Sequence, residues 1–373
     1  MRGTTGSEGK LFEFTPEMFG PLYRFIEDDE VTDIDYNGRE LWITDTSNVK
    51  RKVTDSGITE TFIRRFAHRV SDNDSRELNR ANPVLENETD TLRISVVDPS
   101  VAVSGLSVCI RKSAPFVRFD EKGALDSRFC SREILNLLAN CVAAHMNIVV
   151  CGQPRAGKTE TCKFLSGYIP DHERVITIED TMEWRYRSLK PAGDCVEMKV
   201  SDSFTYRDGI IASLKQNPRW LMIAETRGEE VKDLIQGFST GVNGMTTLHT
   251  DDVGNIPQRM VNMVDDSTME ERFERNVYTF VDVGILVAVV PDGAGGSYRR
   301  VEQVGFFSVD GGKKTCAYLV DGGERVSDQL PEGIRKKFLR EGIDDVFSSL
   351  EVSRRLKRQS CRDEYGGIPR ACG

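Results

Sequence analysis

Residues 147–160 read Asn-Ile-Val-Val-Cys-Gly-Gln-Pro-Arg-Ala-Gly-Lys-Thr-Glu. The apolar run Ile148–Cys151 predicts a buried strand, and Gly152 to Thr159 has the spacing G-x-x-x-x-G-K-[ST] of a phosphate-binding loop. Glycines let the backbone N–H groups of such a loop surround phosphate oxygens, because no Cβ stands in the way. We therefore expect residues 152–160, called the P-loop below, to hold phosphate between a strand and a helix.

The polar residues of the P-loop indicate a nucleotide with Mg²⁺. Lys158 is long enough to reach the β- and γ-phosphates, and the Thr159 hydroxyl is suited to ligate Mg²⁺. The helix that follows directs the positive end of its dipole at the same anion. The predicted nucleotide-binding residues are Gly152, Gln153, Pro154, Arg155, Ala156, Gly157, Lys158, Thr159 and Glu160.

Composition is that of a soluble globular protein of about two domains, with 373 residues, 39% hydrophobic and 29% charged. The net charge of −9 argues against broad nucleic-acid binding. Residues 1–10 have no apolar core of a signal peptide, and the apolar run Val281–Val290 is too short to span a bilayer. Nine scattered cysteines without a C-x-x-C motif fit a reducing compartment, so we expect a cytoplasmic protein.

The order of elements predicts a small α+β domain over residues 1–115, a linker over 116–130, a larger domain over 131–360 and a tail over 361–373. In the larger domain, apolar runs alternate with helical patterns, which is typical of an α/β fold with a mainly parallel sheet. Gly-rich turns within 284–325 predict antiparallel hairpins added to this sheet. Residues 330–360 are predicted to be helical and include a basic cluster. The predicted strands are Ile148–Cys151, Arg174–Ile178, Trp220–Ala224, Met245–Leu248 and Tyr278–Val290, and the cluster is Arg354, Arg355, Lys357 and Arg358.

Polar groups follow the ends of these strands. The P-loop, Glu179, Glu225 and His249 each come at the carboxyl end of a predicted strand. Ligands of open α/β sheets bind in the crevice outside those ends. We therefore expect these groups to meet at one edge of the sheet.

Four motifs in a fixed order make the chain resemble the type II/IV secretion ATPases, over about residues 30–310. The resemblance is nearest to the branch that serves tight-adherence pili and conjugative type IV secretion. The zinc motif with four cysteines that some relatives carry is absent from the sequence. The motifs are the Walker A box 152–159, the aspartate box 176–183, the Walker B box 221–229 and the histidine box 241–249.

This resemblance implies a RecA-like ATPase domain preceded by a small α+β domain, with ATP and Mg²⁺ as cofactors. It implies that Glu179 positions the attacking water and that Glu225 is the Walker B acid, which holds Mg²⁺ through water. It further implies that His249 senses the γ-phosphate. Two alternatives stay open, since Glu179 also suits a capping or salt-bridged role and His249 a buried structural role.

The resemblance also implies roles for arginines. Arg93 and Arg111 of the small domain would reach the phosphates on domain closure, and Arg207 and Arg227 would act at a subunit boundary. Ordinary surface ion pairs are the alternative for all of them. Four positions depart from the family pattern, namely Arg155, Glu160, Ala224 and Lys215. Of these, Glu160 would place a negative charge near phosphate.

The expected function is that of an ATP-driven motor for secretion, conjugation or pilus assembly. The expected assembly is a homo-oligomer, a hexameric ring, bound peripherally to integral membrane components at the inner face of the cell membrane, with no direct contact to nucleic acid. A P-loop helicase or DNA translocase is one alternative, and a nucleotide-binding scaffold without turnover is another.

Overall fold

The computed structural model describes residues 16–74, 77–89, 91–113, 116–264, 270–293 and 296–349. The chain divides into two compact units, Met1–Pro115 and Phe116–Gly373. Each unit has its own hydrophobic core, so each is described by itself. The basic cluster expected at 354–358 and the tail expected at 361–373 lie outside the described residues.

The first unit is an antiparallel sheet with helices, which is the α+β arrangement expected from the sequence. Its strands follow the order β3-β2-β1-β6-β5-β4. Ile34, Ile94 and Ile110 are opposite one another on the three central strands, and all are buried. The strands are β1 Val31–Tyr36, β2 Leu41–Asp45, β3 Lys50–Val53, β4 Val84–Glu88, β5 Leu92–Val97 and β6 Ser107–Lys112, and the helices are α1 Pro16–Phe19, α2 Tyr23–Glu27 and α3 Glu60–Asp74, with a 3₁₀ turn at Gly20–Leu22.

The second unit is built on one sheet of nine strands among the described residues. The strand order is β15-β14-β13-β12-β7-β11-β10-β8-β9. Neighbours from β12 to β9 run parallel, whereas β13, β14 and β15 are antiparallel. The strands are β7 Ile148–Cys151, β8 Val175–Glu179, β9 Cys195–Lys199, β10 Trp220–Ile223, β11 Asn243–Leu248, β12 Val283–Pro291, β13 Ser297–Asp310, β14 Lys313–Asp321 and β15 Glu324–Arg325. The α/β class with a mainly parallel sheet is therefore confirmed.

Helices cover both faces of this sheet. The side chains of β7 alternate between two hydrophobic cores on opposite faces of the sheet. Ile148 and Val150 belong to one core, and Val149 and Cys151 belong to the other. Burial on both faces explains why these strands read as continuous apolar runs. The helices are α4 Glu121–Asp126, α5 Arg132–Ala143, α6 Lys158–Ser166, α7 Tyr186–Leu189, α8 Tyr206–Leu214, α9 Glu230–Ser239, α10 Ile256–Val261, α11 Glu270–Phe280 and α12 Glu332–Arg340, with a 3₁₀ turn at Val253–Asn255.

Three expectations need correction. The proposed linker 116–130 contains α4 and buries Phe129 and Cys130 in the core of the second unit. The strand predicted from Tyr278 is helical through Phe280 and begins only at Val283, because α11 buries an amphipathic face before the strand starts. Of the helix predicted over 330–360, the described part ends at Arg340, two residues before Gly342, whose φ of 76° is left-handed; residues 350–360 lie outside the described residues. Within the described ranges, no helix is both long and apolar enough to cross a membrane.

Candidate nucleotide-binding site

The strand order places four sequence motifs side by side. β7 leads into the P-loop, and its parallel neighbour β11 leads into His249. β10, which ends two residues before Glu225, is next, and β8, which ends at Glu179, follows it. The order along the chain is Walker A, aspartate box, Walker B and histidine box, but the order in space brings the histidine next to the P-loop.

The P-loop needs glycine at two positions. Gly152 has φ of 147°, and a Cβ there would lie 2.3 Å from the carbonyl oxygen of Val287 on β12. Gly157 has φ of 98° and is the N-cap of α6, which starts at Lys158. Between them the loop exposes Gln153, Pro154 and Arg155 and buries Ala156. The backbone is thus shaped as a phosphate-binding loop at a helix N-terminus.

Substitution of Gly152 tests this close packing. We expect Gly152→Ala to lower the free energy of unfolding by about 3 kcal/mol or more, because the new Cβ meets backbone and the left-handed φ is strained. Urea unfolding of the purified chain measures the change. Gly333→Ala in α12, where a Cβ meets nothing within 4 Å, is the control and should be neutral or stabilising. Equal stability of Gly152→Ala and wild type would contradict the geometry.

Lys158 is held by the loop and by the histidine box. Its Nζ lies 3.2 Å from the carbonyl oxygen of Gln153 and 3.1 Å from Nδ1 of His249. On the other side of the ring, Nε2 of His249 lies 2.9 Å from Oε1 of Glu225. With a hydrogen on Nε2, Nδ1 accepts from Lys158 and Nε2 donates to Glu225, whereas the contact of 3.2 Å between Nδ1 and the carbonyl oxygen of Gly152 then has no hydrogen. His249 therefore bridges the Walker A lysine and the Walker B acid.

The network continues beyond Glu225. Oε2 of Glu225 accepts a hydrogen bond of 2.7 Å from Nη2 of Arg227, and Nη1 of Arg227 lies 3.3 Å from Oδ2 of Asp180. Burial raises the pKa of Glu225, but the hydrogen bond and charge of Arg227, together with other nearby positive charge including Lys158, hold the pKa below its usual value. Contacts thus run from Lys158 through His249, Glu225 and Arg227 to Asp180, in the order of the strands that carry them.

Two of the three acids of the aspartate box, Glu179 and Glu183, have different surroundings. The side chain of Glu179 is fully buried, and its Oε2 accepts hydrogen bonds from the backbone N–H groups of Glu183 and Trp184 at 2.9 and 2.8 Å. Glu183 is partly exposed, and its Oε2 accepts the hydroxyl of Thr159 at 3.2 Å. The geometry therefore favours a supporting role for Glu179 and brings Glu183 to the P-loop. Glu183 was missed as a site residue, although it is the last acid of the same motif.

Burial of Glu179 predicts a pH effect on stability. Burial raises the pKa of its carboxyl to about 8 from 4.5. Because the folded state favours the protonated carboxyl, Glu179 contributes most to the free energy of unfolding below pH about 4.5. This contribution is lost as the pH rises to about 8. Glu179→Gln stays neutral and should gain stability relative to wild type over this window. Urea unfolding at several pH values measures the difference, with exposed Glu324→Gln as control; a difference that does not change with pH would contradict the prediction.

Two unusual P-loop residues have structural partners. The Glu160 carboxylate accepts the backbone N–H of Arg118 and lies 3.9 Å from Nζ of buried Lys163, whose pKa burial lowers. The expected repulsion between Glu160 and phosphate is therefore offset by these contacts. Arg155 has a left-handed φ of 65°, and its carbonyl oxygen accepts Nε of Arg299 at 3.3 Å.

Of the remaining predicted arginines, Arg207 belongs to the second unit, and Arg93 and Arg111 belong to the first. Nε of Arg207 lies 3.8 Å from Oδ1 of Asp233 on α9, and the Arg207 side chain is 71% exposed. In the first unit, Arg93 and Arg111 are cross-strand partners on β5 and β6, and Nη2 of Arg93 lies 3.5 Å from Oε1 of Glu86. Cross-strand partners project from the same face of a sheet. Their roles in domain closure and at a subunit boundary stay predictions.

Comparison with known proteins identifies the family of the chain. Residues 79–280 match the family described as type II/IV secretion system protein. An uncharacterised protein of Bacillus anthracis is 28% identical over 352 residues, which cover 91% of this chain and 78% of that protein.

Two solved structures share the fold. The ATPase DotB of Yersinia pseudotuberculosis aligns with a TM-score of 0.63 at 15% identity, over 96% of this chain and 92% of DotB. The pilus retraction motor PilT, solved with bound ADP, aligns with a TM-score of 0.57 at 16% identity, over 92% of this chain and 91% of PilT. The RecA-like fold expected from the resemblance is confirmed by these neighbours. The chain therefore belongs to the family of type II/IV secretion system proteins.

Proposed function

We propose that this protein is an ATP-hydrolysing motor that powers a secretion, conjugation or pilus-assembly machine. The observation that carries the proposal is the chain of contacts from Lys158 through His249, Glu225 and Arg227 to Asp180. It joins a phosphate-binding loop to acids and a histidine at the carboxyl edge of a parallel sheet, where nucleotides bind. Family membership supports the same function.

Lys158 binds the terminal phosphates of ATP in this proposal. Its Nζ contacts the Gln153 carbonyl and the His249 ring, which are neutral acceptors, and an anionic phosphate oxygen is a stronger partner than either. Movement of Lys158 toward phosphate would change its contact with His249. Because His249 also contacts Glu225, binding of phosphate by Lys158 would affect both His249 and Glu225.

Glu183, rather than Glu179, orients the attacking water. A carboxylate beside the P-loop threonine can accept a proton from water, whereas the buried Glu179 carboxyl already supports two backbone N–H groups. The ammonium of Lys158 neutralises negative charge on the phosphoryl group.

Mg²⁺ fits the donors at this place. Among the described residues no three His, Cys, Asp or Glu side chains form a metal cage, but Mg²⁺ usually takes one or two protein oxygens besides phosphate and water. The Thr159 hydroxyl would be its protein ligand, since its hydrogen is directed to Glu183 and a lone pair stays available. Both Glu225 oxygens are engaged by His249 and Arg227, so Glu225 would act through water. When bound, Mg²⁺ supplies positive charge that polarises the phosphates.

The assembly we propose is a homohexameric ring at the cytoplasmic face of a membrane, together with integral membrane components of the machine. Exposed Arg207 and the Arg93–Arg111 pair are suited to meet phosphate or a neighbouring subunit on closure, since they lie at solvent-facing positions. The family match and the shared fold with DotB and PilT support this arrangement.

ATP turnover of the purified protein tests the function. We expect phosphate release that requires Mg²⁺ and does not rise with added DNA. Strong DNA stimulation that falls with salt would favour a translocase instead. Nucleotide binding without turnover, also in the assembled oligomer, would favour a scaffold and contradict the proposal.

A further inference from the structure

A side chain from the antiparallel strands lies over the P-loop. Arg299 belongs to β13, and its Nε donates to the carbonyl oxygen of Arg155 at 3.3 Å. A Cβ built on Gly157 would lie 3.2 Å from Cδ and 3.6 Å from Nε of Arg299. The stem of Arg299 therefore covers the glycine that precedes Lys158, and its guanidinium lies at the loop.

The sheet fixes the side from which Arg299 approaches. Arg299 is the cross-strand partner of Val289 on β12, and β12 is the neighbour of β7 opposite to β11. The carbonyl oxygen of Val287, also on β12, is the atom that a Cβ on Gly152 would strike. This close packing ties the β12–β13 pair to the P-loop. His249, Glu225 and Glu183 all come from the other side of β7, where β11, β10 and β8 lie.

A guanidinium at this place suits phosphate. Its planar set of N–H donors matches two phosphate oxygens at once, and such charge-assisted contacts are among the stronger hydrogen bonds. His249, Glu225 and Glu183, which the proposed function places near the terminal phosphate, come from the other side of β7, so we assign Arg299 to the phosphates nearer to the nucleoside.

We propose that Arg299 is a further nucleotide-binding residue, which contacts the α- and β-phosphates from the side of the P-loop opposite to His249 and Glu225. The inference rests on the proposed function, because it assigns a residue to the same nucleotide site. A contact with these phosphates is the same for ATP and ADP and is made equally in the ground state and the transition state. Loss of this contact should therefore weaken nucleotide binding and leave the rate of the chemical step almost unchanged.

The experiment compares Arg299→Gln and Arg299→Lys with wild type by calorimetric titration of ADP, a non-hydrolysable ATP analogue and pyrophosphate. We expect Arg299→Gln to weaken all three by about tenfold, with kcat within about threefold and KM for ATP raised. Arg299→Lys, which keeps the charge, should recover part of the affinity. Arg300→Gln is the matched control, because neighbouring Arg300 is paired with Glu302 at 2.6 Å, and it should bind like wild type.

Several outcomes would overturn the inference. Unchanged ADP affinity of Arg299→Gln would show that Arg299 does not contact these phosphates, and a fall in kcat alone would place it at the γ-phosphate. A lower melting temperature without nucleotide, with no recovery by lysine, would mean that Arg299 only braces the loop. Wild-type protein that binds neither ATP nor ADP would overturn the proposed function as well, so the two failures are distinct.

Discussion

Replacing Lys158 by alanine should lower ATP turnover by about 10³-fold or more, which corresponds to about 4 kcal/mol of lost transition-state stabilisation. The side chain is mostly buried at the mouth of the P-loop, and its ammonium lies within hydrogen-bond reach of His249. Removal takes away the charge that faces the transferred phosphoryl group and leaves the ring of His249 without its donor. Phosphate release by the purified variant at saturating ATP measures the effect.

A matched lysine separates this effect from a general loss of charge. Lys215, the exposed C-cap of α8, lies outside the network, so Lys215→Ala should hydrolyse ATP within about twofold of wild type. Both variants should show the melting temperature of the wild type in the absence of nucleotide to within a few degrees. Turnover of folded Lys158→Ala at the wild-type rate would contradict the placement of the active site.

The second large effect is expected at Glu183. Glu183→Gln keeps the shape of the side chain and an acceptor for the Thr159 hydroxyl, but it cannot take a proton from water. Turnover should fall by about 10² to 10⁴-fold, while the affinity for ATP changes little. Rapid-quench measurement of phosphate formation, together with a titration of ATP analogue, separates the two quantities.

Glu179→Gln is the comparison that decides between the two acids. Its amide oxygen can still accept the backbone N–H groups of Glu183 and Trp184, so we expect turnover within about fivefold of wild type. If Glu179 positioned the attacking water, as the family resemblance implies, Glu179→Gln would instead bind ATP without hydrolysing it. Full activity of Glu183→Gln together with an inactive but folded Glu179→Gln would restore that first assignment.

Much of the site was predictable because its signals are local. The P-loop glycines, the apolar run Ile148–Cys151 and the Ser131 cap of α5, which accepts the N–H of Ile134, depend on residues close in sequence. A tightly curved backbone requires glycine, and a strand buried on both faces requires apolar residues, so both can be recognised from residue type. Carboxyl-edge placement of Glu225 and His249 followed from the parallel sheet alone.

The order of the strands was decided only by tertiary packing. His249 lies 91 residues after Lys158, yet β11 pairs directly with β7, so the ring contacts Nζ. Helix crossovers permit several strand orders for one set of amphipathic elements, and the hydrophobic pattern of each strand is the same in all of them. The choice depends on how all the faces pack together, which no single motif encodes.

The assignment of Glu183 and Arg299 has the same origin. Glu179 ends a strand that is covered on both faces, so its carboxyl is enclosed, whereas Glu183 is four residues beyond the sheet and reaches Thr159. Arg299 is 141 residues from Lys158 along the chain and meets the P-loop through the β12–β13 pair. The sequence by itself determined the phosphate loop, the strand ends and the class of fold, because these depend on local residue types. Tertiary structure decided which side chains reach the loop, because burial and strand neighbours are properties of the whole packed sheet.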